Sequence, residues 1–257
     1  MNILKRSGKP LPDGRAALYD AIANAYLGGI DSAYRHKPIL GLTCPFDPAE
    51  RRFLLSLIGA DMQDTRTVLD GVNQDNNEPK FAGNILISHS NLEKLLSPAI
   101  DSMREAGKVQ SPHSTADLLN ELLHHIASRS GLLIPRTSDA DGNTLYGFTH
   151  LSFLEYFAAK WLGMEFDRQR NRNSRRAEAT DDGQVITETD LEHEFPPQGP
   201  IQHFREAFKD LPATPAWHEP LIFLLESRKA DTRTLLRWLF PALHTPQRSV
   251  GSPLLPL

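Results

Sequence analysis

The sequence holds a single cysteine, Cys44, among 257 residues. One thiol excludes an internal disulfide and a zinc site built on cysteines, and a reducing cytosol suits it. No run of about eighteen apolar residues occurs, which excludes a membrane-crossing helix. The opening stretch Met1-Asn2-Ile3-Leu4-Lys5-Arg6 lacks the apolar core of a signal peptide. A cytoplasmic protein without a membrane partner is therefore expected. An excess of one charge is also lacking. Lys and Arg number 28 against 32 Asp and Glu, for a net charge of −4 and a pI near 6.2. No global field then draws the chain onto nucleic acid or anionic lipid. Catalytic signatures are missing too: G-x-x-x-x-G-K-S/T, G-x-G-x-x-G, H-E-x-x-H and G-x-S-x-G do not occur. No fixed-period repeat is present.

What is there is a chain able to bury a core, 40% hydrophobic and 23% charged. A first helix is expected over about Asp13–Asp31, where Leu18, Ile22, Ala25 and Tyr26 recur at helical spacing. The segment Tyr34–Pro45 reads as loop. A second helix starts at Asp47-Pro48, with Glu50 completing a capping box. Its apolar face is Phe53, Leu54, Leu57, Ile58 and Met62. Asp70–Gly83 is rich in Asn and Asp and reads as loop. A third helix is expected from Ser90, paired with Glu93 as a capping box. A fourth runs from Ser114 or Thr115 to Arg129 and ends at Gly131.

The period then changes. Leu132-Leu133-Ile134 and Thr144–Thr149 flank an Asp-Gly pair, which signals a hairpin. The helix that follows, Leu151–Met164, is apolar nearly all round and belongs at the centre of the fold. Five arginines (168, 170, 172, 175, 176) then precede seven acids between Glu178 and Glu194. Opposed charge blocks with few apolar residues predict a solvated linker. Helices are expected again over Phe204–Leu211, Glu219–Arg228 and Thr232–Phe240, before an extended tail. The fold class is mainly α: a winged-helix domain carrying a short β-hairpin, plus a small C-terminal helical unit. The expected domains are 1–45, the end of a small helical domain; 46–166, the winged helix; 167–200, a charged flexible linker; and 201–257, the start of a helical sensor or repeat region.

Few residues invite chemistry. His124 and His125 are adjacent on a helix and point to different faces, so they do not chelate together. Cys44 has no partner signalled and reads as structural. No metal ligands and no catalytic residues are assigned. His150 sits between a strand-like run and the opening of a helix. Unpaired amides and the dipole favour an anion at that point, and the imidazole N–H is able to donate to a phosphate. The same place suits a histidine that only caps or packs, and the residues alone favour neither.

Two segments carry a resemblance. Gly131-Leu132-Leu133, followed by Phe148-Thr149-His150-Leu151-Ser152-Phe153-Leu154-Glu155-Tyr156-Phe157-Ala158-Ala159, resembles the end of the winged-helix domain in NACHT-type STAND signalling NTPases. There a "GLL" run, a variable hairpin and an F-x-H-x-x-F-x-E-Y/F-x-A-A helix follow in that order. Leu11-Pro12-Asp13-Gly14-Arg15-Ala16-Ala17-Leu18-Tyr19 resembles the "LP-x-x-R-x-x-LY" helix of the family's small helical domain. Trp217-His218-Glu219 is a weaker echo of the "W-x-E" helices that often follow the winged helix.

The resemblance implies a regulatory, ADP-sensing and autoinhibitory segment for signalling or, in prokaryotes, antiviral defence. It implies that His150 reaches the β-phosphate of ADP held by a P-loop core, supplied in cis or in trans. Phe148, Phe153, Glu155, Tyr156 and Phe157 match the packing framework, with Glu155 as a helix-start or inter-domain polar contact. The family's Walker A loop and Mg²⁺-binding acids are not in this sequence. The chain alone is therefore expected not to hydrolyse or tightly bind ATP; ATP or ADP with Mg²⁺ enters only with a P-loop core. Such a chain reads as a gene fragment or one half of a split gene. A stand-alone helical interaction module with protein partners is the alternative. A DNA-binding winged helix ranks behind both, because the helix from Thr115 carries Asp117 and Glu121 against the single Arg129.

Overall fold

The computed structural model describes residues 12–29, 44–72, 85–181 and 211–240. Within them the chain is mainly helical, with one small antiparallel sheet. Helix α1 spans Arg15–Asn24 and runs on through a wider turn, Ala25–Gly29. Helix α2 is Pro48–Val72. Its capping box is formed as its sequence predicts: Asp47 Oδ1 accepts from the Glu50 amide at 2.8 Å, and Glu50 accepts from the Asp47 amide at 2.7 Å. Strand β1 is only Ile87–Ser88, and helix α3 follows directly as His89–Glu105. The cap of α3 is Ser88, whose hydroxyl accepts from the Asn91 amide at 3.2 Å, in place of the expected Ser90.

Helix α4, Thr115–His125, has a reciprocal Ser114–Asp117 capping box and continues through the turn Ile126–Ser130. Gly131 stops it with φ +60°, a left-handed conformation that glycine adopts without a Cβ penalty. Strands β2 (Leu133–Ser138) and β3 (Thr144–Phe148) form the expected hairpin. The Asp-Gly pair lies within a five-residue loop braced by Asp139, whose carboxylate accepts from the amides of Asp141 and Asn143 at 3.0 and 2.8 Å. β3 is the middle strand, pairing Ile87 with Tyr146 on one edge and Leu133 with Phe148 on the other. A bulge at Arg136 shifts the β2 register between Pro135 and Thr137. Helix, short strand, two helices and a strand pair, closing a β1-β3-β2 sheet, give the winged-helix order.

Helix α5 is the central element, and it corrects one expectation. It runs from Leu151 to Asp181, so the presumed linker is helical through its arginine-rich part; residues 182–200 lie outside the described residues. Tertiary partners override the local charge pattern here. Phe166 is buried and packs edge-on against Trp238 at 5.4 Å. Arg228 donates to Asp167 at 3.2 Å. Arg168 and Arg172 are 6% and 5% exposed, with Glu165 paired to Arg168. The boundary expected at 166/167 therefore falls inside a continuous helix.

From Phe153 to Ala159 every residue of α5 is buried, as a helix enclosed on all sides requires. Its closest neighbour is α2. A Cβ placed on Gly59 would lie 2.8 Å from Phe157 Cβ and 2.9 Å from the Ala158 amide nitrogen. Only a residue without a side chain lets these two helices approach so far.

The C-terminal part consists of two short turns, Leu211–Ala213 and Pro215–Trp217, then helix α6 (His218–Ser227) and helix α7 (Thr232–Leu239). Gln63 of α2 donates to the Ala216 carbonyl, and Trp217 is 1% exposed. One hydrophobic cluster runs continuously from Ala16 through the winged helix to Leu239. The expected helix Phe204–Leu211 falls outside the described residues apart from Leu211, as do most of the Tyr34–Pro45 loop and the tail beyond 240.

Candidate functional site

His150 stands at the corner where β3 ends and α5 begins, with its side chain exposed. The corner is held tightly. The Thr149 amide donates to the Leu132 carbonyl at 3.0 Å, and its hydroxyl donates to the Gly131 carbonyl. The "GLL" run and the residue before the histidine are thus tied together. The Phe153 amide donates to the His150 carbonyl at 3.0 Å, closing the first turn of α5. The imidazole lies 6.3 Å from the Phe153 ring, tilted by 35°.

A cation adjoins this corner. Arg136, lifted out by the bulge in β2, donates to the carbonyls of Phe148 and Thr149 at 3.1 and 3.3 Å. A guanidinium, an imidazole and the first amides of a long helix therefore share one exposed edge, and each favours negative charge. Arg136 is the residue that the sequence reading missed. Its only signal, an arginine in a short strand, becomes informative once the bulge turns it towards the end of β3.

The other motif residues form a buried frame. Phe148 and Phe157 stack at 5.6 Å, and Tyr156 meets Phe157 edge-on at 5.0 Å. Glu155 crosses between helices: Arg66 of α2 donates to it at 3.1 Å. Burial pushes the Glu155 carboxyl above its ordinary range, against the opposing pull of Arg66. Tyr156 donates to Asp20 of α1 at 2.7 Å, and Lys160 reaches the same oxygen at 2.6 Å. Burial disfavours the Asp20 carboxylate, but these two donors outweigh it and hold its pKa below the usual value. Burial, followed by the hydrogen bond to Asp20 and then that carboxylate's charge, pushes the Tyr156 phenol far up.

The histidine pair of α4 divides. His124 is exposed, whereas His125 is 5% exposed and bonds Arg51 of α2 in the core. The outward face of α4 shows Asp117, Asn120 and Glu121, with His113 paired to Glu121 and His89 to Asn120. That face offers little to a phosphate backbone. Among the described residues no cluster of three or more His, Cys, Asp or Glu is placed to hold a metal, and no helix is long and apolar enough to cross a membrane. Comparison with protein families, curated proteins and solved structures finds no match to this chain.

Proposed function

We propose that this chain is a regulatory segment of a NACHT-type signalling NTPase and that His150 senses the phosphate of a nucleotide held by a separate P-loop core. One observation carries the reading. The matched framework residues of the motif, Phe148, Phe153, Glu155, Tyr156 and Phe157, are all buried, and of these matched positions only His150 faces solvent, beside Arg136. A motif serving only to pack would bury its histidine with the rest. On this reading the winged helix closes over the ADP-bound core through His150, and loss of that contact on exchange for ATP releases it for signalling or defence.

The test joins this chain to a P-loop core. The DNA upstream of the Met1 codon is translated in all three frames for G-x-x-x-x-G-K-S/T followed by an acid-tipped apolar strand. The core so encoded is co-expressed with the chain, and retained ADP is measured after purification. A hydrogen bond to a charged group contributes about 1.5–3 kcal/mol, so His150→Ala should weaken ADP retention roughly tenfold or more. Unchanged retention, or no such core upstream, overturns the reading.

A stand-alone interaction module remains the second reading. It draws on Leu151, 47% exposed beside His150, and on Ile222, 42% exposed on α6. It predicts that His150→Ala alters partner binding without any nucleotide.

A further inference from the structure

The rings around His150 reach beyond its own helix. Both its side chain and its main chain are referenced to Phe153, through the 6.3 Å ring contact and the 3.0 Å amide bond. Phe153 is 8% exposed and meets Tyr19 of α1 edge-on, at 5.3 Å and 68°. Tyr19 in turn meets Phe223 of α6 edge-on, at 5.2 Å and 73°, and lies 6.0 Å from Tyr156. One ring of α1 thus joins α5 to α6. Polar clasps fix α1 around it. Arg15 donates to Glu219 at 2.6 Å, the Ala16 amide donates to Glu226 at 2.9 Å, and Asp20 pairs with Lys160 at 2.6 Å. Glu226 serves as the cap for an N-terminus whose own cap residue is Gly14, which has no side chain to offer.

We infer that Tyr19 is a positioning residue for His150, acting through Phe153, so that the direction of the imidazole depends on α1 being docked against α5 and α6. Edge-to-face pairs hold rings at defined angles. A flexible aliphatic residue at position 19 fills the space without setting the angle. The phenol oxygen of Tyr19 takes no part, so phenylalanine is equivalent. The functional importance of this positioning rests on the proposed role of His150, but the positioning itself does not.

The experiment reads the Cε1–Hε1 signals of the histidines by carbon–proton correlation spectroscopy on the nucleotide-free full chain, with His150 assigned by its loss in His150→Ala. Tyr19→Leu is expected to shift the His150 signal while that of His124, exposed on α4, stays in place. Tyr19→Phe is expected to leave both unmoved. If Tyr19→Leu fails to fold, Tyr19→Met, closer in volume, should give the same shift. A His150 signal unmoved in a folded Tyr19→Leu or Tyr19→Met protein overturns the inference. With the P-loop core present, Tyr19→Leu should also lower ADP retention several-fold and Tyr19→Phe restore it. A shifted signal with unchanged retention keeps Tyr19 as a positioning residue and defeats the phosphate role of His150 instead.

Discussion

Asp20 collects donors from α5, and its carboxyl is held below the ordinary range although burial opposes this. A carboxyl with a depressed folded pKa adds stability that is fully present above its unfolded value of about 3.9. That stability is lost as pH falls through the lower, folded value. Asp20→Asn should therefore flatten the acid limb of a stability-against-pH curve, lowering stability most near neutrality and least at the acid end. Chemical denaturation between about pH 2 and pH 6 checks this. Tyr156→Phe removes a buried hydroxyl from the same bond and should cost about 1.5–3 kcal/mol, read from urea midpoints. His125, by contrast, shows how little spacing says about one side chain. The adjacency of His124 and His125 excludes joint chelation, but only the packing of α4 against α2 puts one of them in the core beside Arg51.

At the scale of elements, the closest approach is at Gly59. A methyl group there would lie under 3 Å from the backbone of α5, and backbone does not give way as a side-chain tip does. Gly59→Ala should cost at least about 1–3 kcal/mol by overpacking, measured by thermal denaturation. Ser114→Ala removes the α4 cap and should cost about 0.5–2 kcal/mol. Elements with caps and a clear apolar period were legible in the sequence: α2, α4, the hairpin and the first half of α5. β1 was not, because two residues carry no period and its pairing comes from β3. The Ser88 cap was not, because Ser88 and Ser90 offer the same chemistry two residues apart and β1 decides between them. The second half of α5 was misread for a physical reason. Local composition reports solvation, whereas Phe166, Asp167 and Arg168 answer to Trp238, Arg228 and Glu165. At the candidate site, the place of His150 just before a helix was legible, and that of Arg136 beside it was not, because a bulge puts it there.

At the scale of the whole molecule, one cluster links α1, the winged helix and the C-terminal helices. Residues sharing a core tend to unfold together. Far-UV circular dichroism and tryptophan fluorescence, reporting on Trp161, Trp217 and Trp238, should give coincident thermal midpoints. Separate midpoints would mean that α6 and α7 form a unit of their own. The length of α5 has a mechanical consequence. Its 31 residues span about 46 Å at 1.5 Å per residue. Gly59 pins the helix near one end, close to His150, and farther along Phe166 and Asp167 couple it to α6 and α7 through Trp238 and Arg228. With the pivot at Ala158, a tilt of about 10° would sweep the far end, about 35 Å away, through roughly 6 Å. A small rotation at the His150 end of α5 would thereby be passed to the C-terminal helices.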